Sequence, residues 1–516
     1  MPRTINIFAR FSVGARDWLL VLLTPLLLIL AFPKTDVWIL SWFALIPLFI
    51  SLNNAQKFSD AVLKAYVSGF VFFLGTLYWF IHVTLPGMIL MVAYAAVYFG
   101  VFGAVCWRAR RYSFLKRLFF LPSAWVLLEF ARAHLLTGFG WAALGYSQYK
   151  NILMIQIADL TGVYGVTFVI VLVNTWLQEI VRQRVFAKKL NAGKEFVFAG
   201  LIVVGILAAV IGYGFWSQQD PTPADQSRIA VIQGSIPLEL KWNKSAWPLI
   251  LEKYLLLTQK AAAEKPDLII WPETAFPGFI WEVPEDMEKI KGFVAEKKIP
   301  LLLGLVTMES GKYYNSALLL ADTGEAKEQY DKIHLVPFGE FIPFRGSFSF
   351  LRDVIPIDDF TAGSRFTLFP VEASLGPKVL RYKKFGVLIC FEDSVEDIAR
   401  QFAQEGAHMF VNITNDAWFK DTKAPFMHLS SSVFRAVENR RPVVRSANTG
   451  VSCFIDSRGR VKSYLQDKMG KKTFVAGYTV GNVELRFDET VYTKFGDIFT
   501  YLCFGCILWI VLIKRK

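Results

Sequence analysis

The chain has 516 residues, of which 54% are hydrophobic, a formal net charge of +13 and a mean hydropathy of +0.39. This composition is too apolar for a purely soluble protein, and the length exceeds that of an ordinary single domain. A basic excess is typical of nucleic-acid binding proteins and also of the cytoplasmic loops of membrane proteins, so the positions of the charges decide between these two classes.

Apolar stretches predict eight membrane-spanning helices, seven before residue 217 and one that closes the chain. They cover approximately 17–32, 37–52, 65–81, 87–106, 118–130, 154–178, 196–216 and 498–513. Several are shorter than the ~20 residues that a straight span needs, and the fifth is the weakest because it carries Glu129. The first stretch has no small-x-small cleavage site, so we interpret it as a retained span and not as a signal peptide.

The distribution of basic residues predicts the orientation of these spans. With a cytoplasmic N-terminus, 18 Lys and Arg residues fall in predicted cytoplasmic segments, and only Lys34, Arg132 and Lys150 fall in external loops. This bias follows the positive-inside rule and explains the basic excess without nucleic acid. We therefore predict a membrane domain at 1–216, a domain outside the cytoplasmic membrane at 217–497, and an eighth span with a basic cytoplasmic tail at 498–516.

The cysteines do not encode a disulfide framework, although the external compartment permits disulfides. The external region holds Cys390 and Cys453, and the other three cysteines lie in apolar stretches. Cys503 and Cys506 have the spacing of a redox or metal motif, but no other ligand is near, so we interpret them as packing or lipid-facing residues. The five histidines show no metal-ligand spacing, and we expect neither a metal nor another cofactor.

The external region alternates short β-rich runs with helical stretches, which predicts an α/β domain with buried sheets. Helices are expected at 246–264, 285–298, 393–405 and 424–440. Strands are expected at 228–235, 267–273, 300–306, 316–321, 386–390, 409–414, 443–448 and 452–457, with a further strand before Lys332.

Three polar residues at predicted strand ends supply the roles that acyl transfer requires. Glu273 ends LIIWPE, Lys332 follows EQYD, and Cys390 ends GVLIC. A thiol nucleophile needs a base, because most of a thiol with a pKa near ~8.5 is protonated at neutral pH, and the tetrahedral oxygen needs a cation. Each residue alone also fits a purely structural role, and His334 or His428 is an alternative base for the thiol.

The motifs WPETAFP, DKIHLVPFGEFIP, LICFEDS and NITNDAWF resemble those of the nitrilase superfamily. The resemblance implies an α-β-β-α sandwich with a catalytic triad of Glu273, Lys332 and Cys390. Seven spans before the domain, one after it, and the segment GFGWAALGYSQ (138–148) make the whole chain resemble bacterial apolipoprotein N-acyltransferases. The expected fold is thus an α-helical transmembrane bundle of eight spans with an extracytoplasmic nitrilase-like α/β domain.

This resemblance implies transfer of a fatty acyl chain from a membrane phospholipid to the N-terminal amine of a diacylglyceryl-cysteine apolipoprotein, through a thioester on Cys390. It implies a multi-pass protein of the bacterial cytoplasmic (inner) membrane, and we expect a monomer that binds no nucleic acid. Two other classes remain open. A membrane-anchored amidase acting on a small amide would need only one span, and a transporter would need an ion path that the few ionisable span residues do not form.

The resemblance also implies supporting roles for residues around the triad. Glu340 matches the second glutamate of the family, and Trp242 and Trp418 match aromatic positions near its lipid site. Phe391 stands where a tyrosine is frequent, so a phenol hydrogen bond is in doubt while its backbone N–H remains an oxyanion donor. Glu392 is expected to cap, with Asp393, a helix beginning near 393, or instead to hydrogen-bond Lys332 or to order the site.

Two segments rich in Phe, Pro and Trp are predicted to rest in the membrane interface. They are TAFPGFIW (274–281) and PFGEFIPFRGSFSF (337–350), and Phe341 and Phe344 in the second are expected to contact lipid. In water they would form a large exposed apolar patch, which soluble proteins avoid, whereas aromatic residues are common at membrane interfaces. The alternative is that both segments pack against the domain's own core.

Overall fold

The computed structural model describes residues 7–186, 193–219, 225–241, 243–276, 278–337, 339–341, 360–372 and 382–512. The chain forms two compact units. One comprises Met1–Gln219 with Asp497–Lys516, and the other is Asp220–Gly496. The corresponding boundaries expected from the sequence lie after residues 216 and 497.

The first unit is helical. Its helices before the second unit are α1 (Ile7–Ala31), α2 (Ile46–Asn54), α3 (Phe58–Leu77), α4 (Leu85–Ala109), α5 (Phe114–His134), α6 (Ile152–Ile155), α7 (Ala158–Thr161), α8 (Val163–Val181) and α9 (Lys194–Ser217). In the described chain, five segments are long and apolar enough to cross a membrane, namely 14–31, 58–82, 85–109, 163–184 and 194–217. They coincide with the first, third, fourth, sixth and seventh predicted spans.

The other predicted spans are shorter or more polar in the structure. The second stretch is broken into a 3₁₀ helix, Trp38–Trp42, and the nine-residue α2, which has a proline in its first turn. The fifth is the 21-residue α5, which includes Arg132. The expectation that Arg132 lies in an external loop is therefore wrong, because its side chain is buried within the unit.

The charged residues of α5 have a structural reason to be there. The Glu129 carboxylate accepts the N–H of Leu144 at 2.7 Å, and Arg132 Nη1 donates to the carbonyls of Phe139 at 2.7 Å and Trp141 at 2.6 Å. Buried backbone polar groups must find partners. The two side chains thus provide hydrogen-bond partners for backbone groups of segment 138–148, which lies between the helices.

The second unit contains two six-stranded sheets, ordered β12-β1-β2-β3-β4-β5 and β11-β10-β9-β8-β7-β6. The strands are β1 (Asp225–Gln233), β2 (Leu268–Ile270), β3 (Leu301–Glu309), β4 (Lys312–Leu320), β5 (Ala326–Asp331), β6 (Leu368–Glu372), β7 (Tyr382–Ile389), β8 (Met409–Thr414), β9 (Val443–Ala447), β10 (Cys453–Ile455), β11 (Val461–Tyr464) and β12 (Gly477–Leu485). β1, β2 and β3 run parallel, as do β7, β8 and β9.

Helices cover the outer faces of the two sheets. They are α10 (Leu238–Lys241), α11 (Trp247–Ala262), α12 (Pro284–Lys297), α13 (Glu396–Gln404), α14 (Ala424–Asn439) and α15 (Val491–Phe495); α16 (Ile498–Leu512) then returns to the first unit and packs on α5. α11 contacts β1 and β2, whereas α13 contacts β7 and α14 contacts β9. Ser446 on β9 donates across the sheets to the carbonyls of Ile232 and Ile270, both at 3.2 Å. This arrangement is the expected α-β-β-α sandwich.

Apolar strands place the core between these layers. Every residue of β8 and β9 is buried, which is why their sequences read as near-continuous apolar runs and not as an alternation. The strands expected from the sequence all occur, while β6, β11 and β12 were not anticipated. The helix expected to begin near 393 begins at Glu396 instead, after a 3₁₀ turn at Cys390–Ser394.

Candidate active site

The three expected catalytic residues lie just beyond the ends of strands from both sheets. Glu273 follows β2, Lys332 directly follows β5, and Cys390 directly follows β7. The Lys332 N–H donates to the carbonyl of Asn315 on β4 at 2.8 Å, which fixes the position where its side chain leaves the sheet. Rigid strand ends are suited to holding reactive groups in place.

Two carboxylates share one ammonium and one amide. Lys332 Nζ lies 2.9 Å from Glu340 Oε2 and 3.8 Å from Glu273 Oε1. Asn315 Nδ2 donates to one oxygen of each carboxylate, at 2.8 Å in both cases. Burial alone would lower the pKa of Lys332, but Glu340, Cys390 and Glu273 raise it above its usual value. Lys332 is therefore a permanent cation.

Cys390 sits at a sharp turn with a partly exposed side chain. Its φ is +52°, a left-handed conformation that is uncommon for a residue with a side chain. Burial raises the pKa of its thiol well above the usual value and Glu273 adds to this, whereas Lys332 lowers it. Such strain and such a perturbed thiol are typical of functional sites. Glu273 and Lys332 both act electrostatically on the Cys390 thiol, so the three expected residues belong to one site.

The carbonyl oxygen of Cys390 is held by two side chains. Asn412 Nδ2 on β8 and His428 Nε2 on α14 each lie 3.1 Å from it. His428 Nε2 is also 2.7 Å from Asp393 Oδ1, and Nδ1 is 3.0 Å from Asp416 Oδ1. Burial lowers the pKa of His428, but Asp393 and then Asp416 outweigh it and raise the pKa to about 9. His428 thus contacts the backbone of the nucleophile as an imidazolium, which does not suit the role of base considered for it.

Glu392 and Asp393 are fully buried within the 3₁₀ turn Cys390–Ser394. Their expected role as caps of a helix beginning near 393 is wrong, because α13 begins at Glu396. Glu392 accepts the N–H groups of Ile389 at 2.7 Å, Ile333 at 2.7 Å and His334 at 3.1 Å. Burial raises the pKa of Glu392 to about 7. These bonds join the loop after β5, which carries Lys332, to the loop after β7, which carries Cys390.

Asp393 forms ion pairs with Arg445 and His428. Its carboxylate lies 2.5 Å from Arg445 Nη1 and accepts the hydroxyl of Ser432. Its pKa is lowered, because His428 and Arg445 outweigh the effect of burial. Neither acid that follows Cys390 therefore faces its thiol as a free charge.

Lys241 is a second buried lysine at this site. Lys241 Nζ donates to the carbonyl oxygen of Glu273 at 3.2 Å and to the hydroxyl of Thr274. Burial lowers the pKa of Lys241 to about 8, although Glu273 and Cys390 oppose this effect. The sequence analysis missed Lys241 and Asn315. A lysine directly before Trp242, and an asparagine within an apolar strand, were the available signals.

The residues expected to support the site or contact substrate lie on different elements and differ in their exposure. Phe391 lies in the 3₁₀ turn and its ring stacks on that of His334, with centroids 5.8 Å apart. Trp418 is 42% exposed on the 3₁₀ helix Asp416–Phe419, and Phe341 is partly exposed. Trp242 and Phe344 lie outside the described residues.

Segment 274–281 divides between core and surface. Phe276 is only 2% exposed and belongs to the core of the first sheet, so placing it in the membrane interface is wrong. Trp281 is 38% exposed and stacks on Phe279 at 4.7 Å. Among the described residues, no group of three or more His, Cys, Asp or Glu side chains is arranged to hold a metal ion.

Comparison with known proteins assigns both parts of the chain. The family model of the apolipoprotein N-acyltransferase N-terminal domain matches residues 25–176, and that of carbon-nitrogen hydrolases matches residues 228–483. An apolipoprotein N-acyltransferase of Geobacter metallireducens is 36% identical over 95% of this chain and 94% of its own length. This chain belongs to the apolipoprotein N-acyltransferase family. A member from Chlorobaculum tepidum is 29% identical over 97% of both chains.

Two solved structures are similar to this chain at lower identity. A nitrilase-superfamily amidase from Nesterenkonia AN1 is 17% identical, covering 55% of this chain and 98% of its own, with a TM-score of 0.39. The C. elegans NitFhit protein is 16% identical, covering 54% of this chain and 66% of its own, also with a TM-score of 0.39.

Proposed function

We propose that this protein transfers a fatty acyl chain from a membrane phospholipid to the N-terminal α-amino group of an S-diacylglyceryl-cysteine apolipoprotein. The observation that carries this proposal is the 36% identity with an apolipoprotein N-acyltransferase over 95% of the chain. The match of residues 25–176 to the N-terminal domain of that family weighs against the alternative, an amidase of small molecules anchored in the membrane.

In the first half-reaction, Glu273 accepts the thiol proton of Cys390, and the thiolate attacks the ester carbonyl of the phospholipid. Lys332 and the Phe391 N–H stabilise the oxyanion of the tetrahedral intermediate. The intermediate collapses by breaking the ester C–O bond, and Glu273 returns the proton to the departing lysophospholipid alkoxide. The product is an acyl thioester on Cys390.

In the second half-reaction, Glu273 removes a proton from the lipoprotein amine as that amine attacks the thioester carbonyl. The C–S bond breaks, an amide forms, and the proton returns to the Cys390 sulfur. Conversion of an ester to an amide is chemically downhill, so the cycle requires no ATP. The 2.9 Å contact between Glu340 and Lys332 supports a division of labour, in which Glu340 holds the cation and Glu273 moves protons.

For the membrane unit we propose eight crossings, with both termini in the cytoplasm and the catalytic unit outside the cytoplasmic membrane of a bacterium. Helices α5 and α16, and the 3₁₀ helix Trp38–Trp42 together with α2, would supply the three crossings beyond the five long apolar segments. The basic-residue bias supports this orientation. Because Glu129 and Arg132 of α5 are bonded within the unit, these two charges do not oppose its insertion.

We propose that the substrates approach past partly exposed aromatic residues. Trp418, Phe341 and Trp281 are the described candidates, Trp242 is a candidate from the resemblance alone, and Phe344 is a candidate from the aromatic composition of segment 337–350. Exposed tryptophan and phenylalanine are suited to the membrane interface. We further propose that the protein acts as a monomer and binds no nucleic acid.

The proposal is tested by incubating the purified protein with phospholipid and a synthetic diacylglyceryl-cysteine peptide. We expect equal amounts of N-acylated peptide and lysophospholipid, and neither product with the Cys390→Ala variant. Hydrolysis of small amides without acylation of the peptide would support the amidase instead.

A further inference from the structure

Lys241 is bonded to the main chain of the residue assigned as the catalytic base. It lies at the end of α10 and is 5% exposed. Its ammonium donates to the Glu273 carbonyl at 3.2 Å and to the Thr274 hydroxyl, and its own carbonyl accepts the indole N–H of Trp247 at 3.1 Å. Lys241 is thus fixed at both ends, by Trp247 at its backbone and by residues 273 and 274 at its ammonium.

The backbone that Lys241 contacts is strained. Thr274 has a φ of +43°, in the left-handed region that β-branched residues rarely adopt. On the other side, β3 approaches so closely that a Cβ on Gly304 would lie 2.6 Å from the Thr274 nitrogen and 2.7 Å from the Glu273 Cα. The Glu273 turn is therefore clamped between Gly304 and Lys241, and strain of this kind persists only where the surroundings enforce it.

The charges around Cys390 also require Lys241. Glu273 and Glu340 both contact Lys332, so this one lysine leaves one of the two carboxylates uncompensated. Asp416 also disfavours the Cys390 thiolate, but it is paired with His428 at 3.0 Å. In a poorly hydrated site, a nearby negative charge disfavours ionisation of a thiol. Lys241 is coupled favourably to both Glu273 and Cys390. A second ammonium brings the two carboxylates and two lysines to neutrality.

We infer that Lys241 is a positioning residue that fixes the Glu273 turn and supplies the second buried cation needed for Cys390 to form a thiolate. The inference rests on the proposed function, which assigns Cys390 as the nucleophile. The charged and titratable groups that face Lys241 are Glu273 and Cys390, while the neighbouring Lys244 is exposed and paired with Glu282 at 2.8 Å.

The test measures the reactivity of Cys390 directly, without lipid. The full-length protein in detergent is treated with iodoacetamide at a series of pH values below about 8, where Lys241 is charged, and alkylation of Cys390 is followed by peptide mass spectrometry. In Lys241→Met, we expect the alkylation curve to move upward by about one pH unit or more, which is about a tenfold loss of thiolate at a given pH. Lys244→Met, which removes a surface cation three residues away, should leave the curve unchanged.

Two further variants separate charge from anchoring. Lys241→Arg keeps the cation and should alkylate within about twofold of the wild type, whereas Thr274→Val removes the hydroxyl contact and should slow acyl transfer more than alkylation. An unchanged curve for folded Lys241→Met would overturn the inference. If that variant does not fold, a curve for Lys241→Arg displaced by a unit would overturn it. If Lys241→Met shifts the alkylation curve as expected but the wild-type protein never acquires an acyl group, the proposed function is refuted and the role of Lys241 stands.

Discussion

Lys332 is closer to Glu340 than to Glu273, by 2.9 Å against 3.8 Å. A base that moves protons must not be locked into a tight ion pair, because such a pair would hold its pKa too low for the task. Glu340 takes the closer contact with the ammonium, and Asn315 bridges both carboxylates. The arrangement leaves Glu273 oriented but available to accept a proton.

Replacing the cation tests its role at the oxyanion. We expect Lys332→Met to slow formation of the acyl thioester by about 10²–10³-fold, the loss typical of removing an oxyanion donor. The rate is measured by rapid quenching and intact mass spectrometry. Lys327→Met, an exposed lysine on the same strand β5, is the control and should react at the wild-type rate. A similar loss in both variants would remove Lys332 from this role.

The buried imidazolium of His428 predicts a pH dependence of stability. Its folded pKa of about 9 exceeds the unfolded value of ~6.5, so the folded state binds more protons between these pH values. The stabilisation is complete below about pH 6.5 and is lost as pH rises through about 9. His428→Gln should therefore unfold at a lower temperature than the wild type at pH 6.5, and the difference should shrink towards pH 9.

A second histidine provides the control for that measurement. His408 lies between α13 and β8, and burial lowers its pKa to about 4, so it is neutral throughout the same window. His408→Gln should leave the slope of unfolding temperature against pH as in the wild type, measured by thermal unfolding in detergent. A constant difference between His428→Gln and wild type from pH 6.5 to 9 would show that His428 is not charged in the fold.

At the scale of elements, β3 determines where Glu273 stands. A Cβ at Gly304 would lie 2.5 Å from the Pro272 carbonyl oxygen, which is backbone and cannot move aside. We expect Gly304→Ala to displace the Glu273 turn and to lower the rate of thioester formation by tenfold or more, since ~1 Å of misplacement can cost ~10²-fold. The unfolding temperature should also fall.

Gly292→Ala is the matched control, because a Cβ at Gly292 on α12 meets no atom within 4 Å. In a helix interior, alanine is favoured over glycine by ~1 kcal/mol, so this variant should be as active as the wild type and no less stable. Full activity of Gly304→Ala would mean that β3 does not position Glu273.

The elements of the sandwich were predictable where the pattern is apolar and continuous. β8 and β9 are buried along their whole length, and their runs were read correctly, as were the strand ends that carry Glu273, Lys332 and Cys390. β12 was missed because its burial is mixed. The turn at Cys390 was misread as a helix start, because nothing local in FEDS indicates that distant residues, His428 and Arg445, bind Asp393.

In the membrane unit too, sequence patterns did not reveal contacts between residues that are distant along the chain. Hydropathy identified five segments of sufficient length, but it treated residues 37–52 as one stretch although α2 is only nine residues long. Arg132 was placed in a loop, because hydropathy alone cannot anticipate a guanidinium that binds the carbonyls of Phe139 and Trp141.

At the scale of the whole molecule, the proposed orientation predicts which sites a membrane-impermeant reagent reaches. Single cysteines are placed at Gln219, at the end of the membrane unit, and at Lys57, before α3, in a chain whose five native cysteines are all replaced by alanine. In intact spheroplasts, an impermeant maleimide should label the cysteine at 219 and spare that at 57. Permeabilised cells, in which both should react, provide the control. The reverse pattern would invert the topology.

The account depends most directly on an acyl group becoming attached to Cys390. The purified protein is incubated with phospholipid alone, and the intact protein and its peptides are weighed. We predict a mass increase of one fatty acyl chain, located on Cys390, removed by neutral hydroxylamine and lost when the diacylglyceryl peptide is added. Cys453→Ala should acquire the same adduct, because Cys453 is fully buried in β10. Formation of N-acyl peptide by a protein that never carries an acyl group on Cys390 would contradict the proposed mechanism.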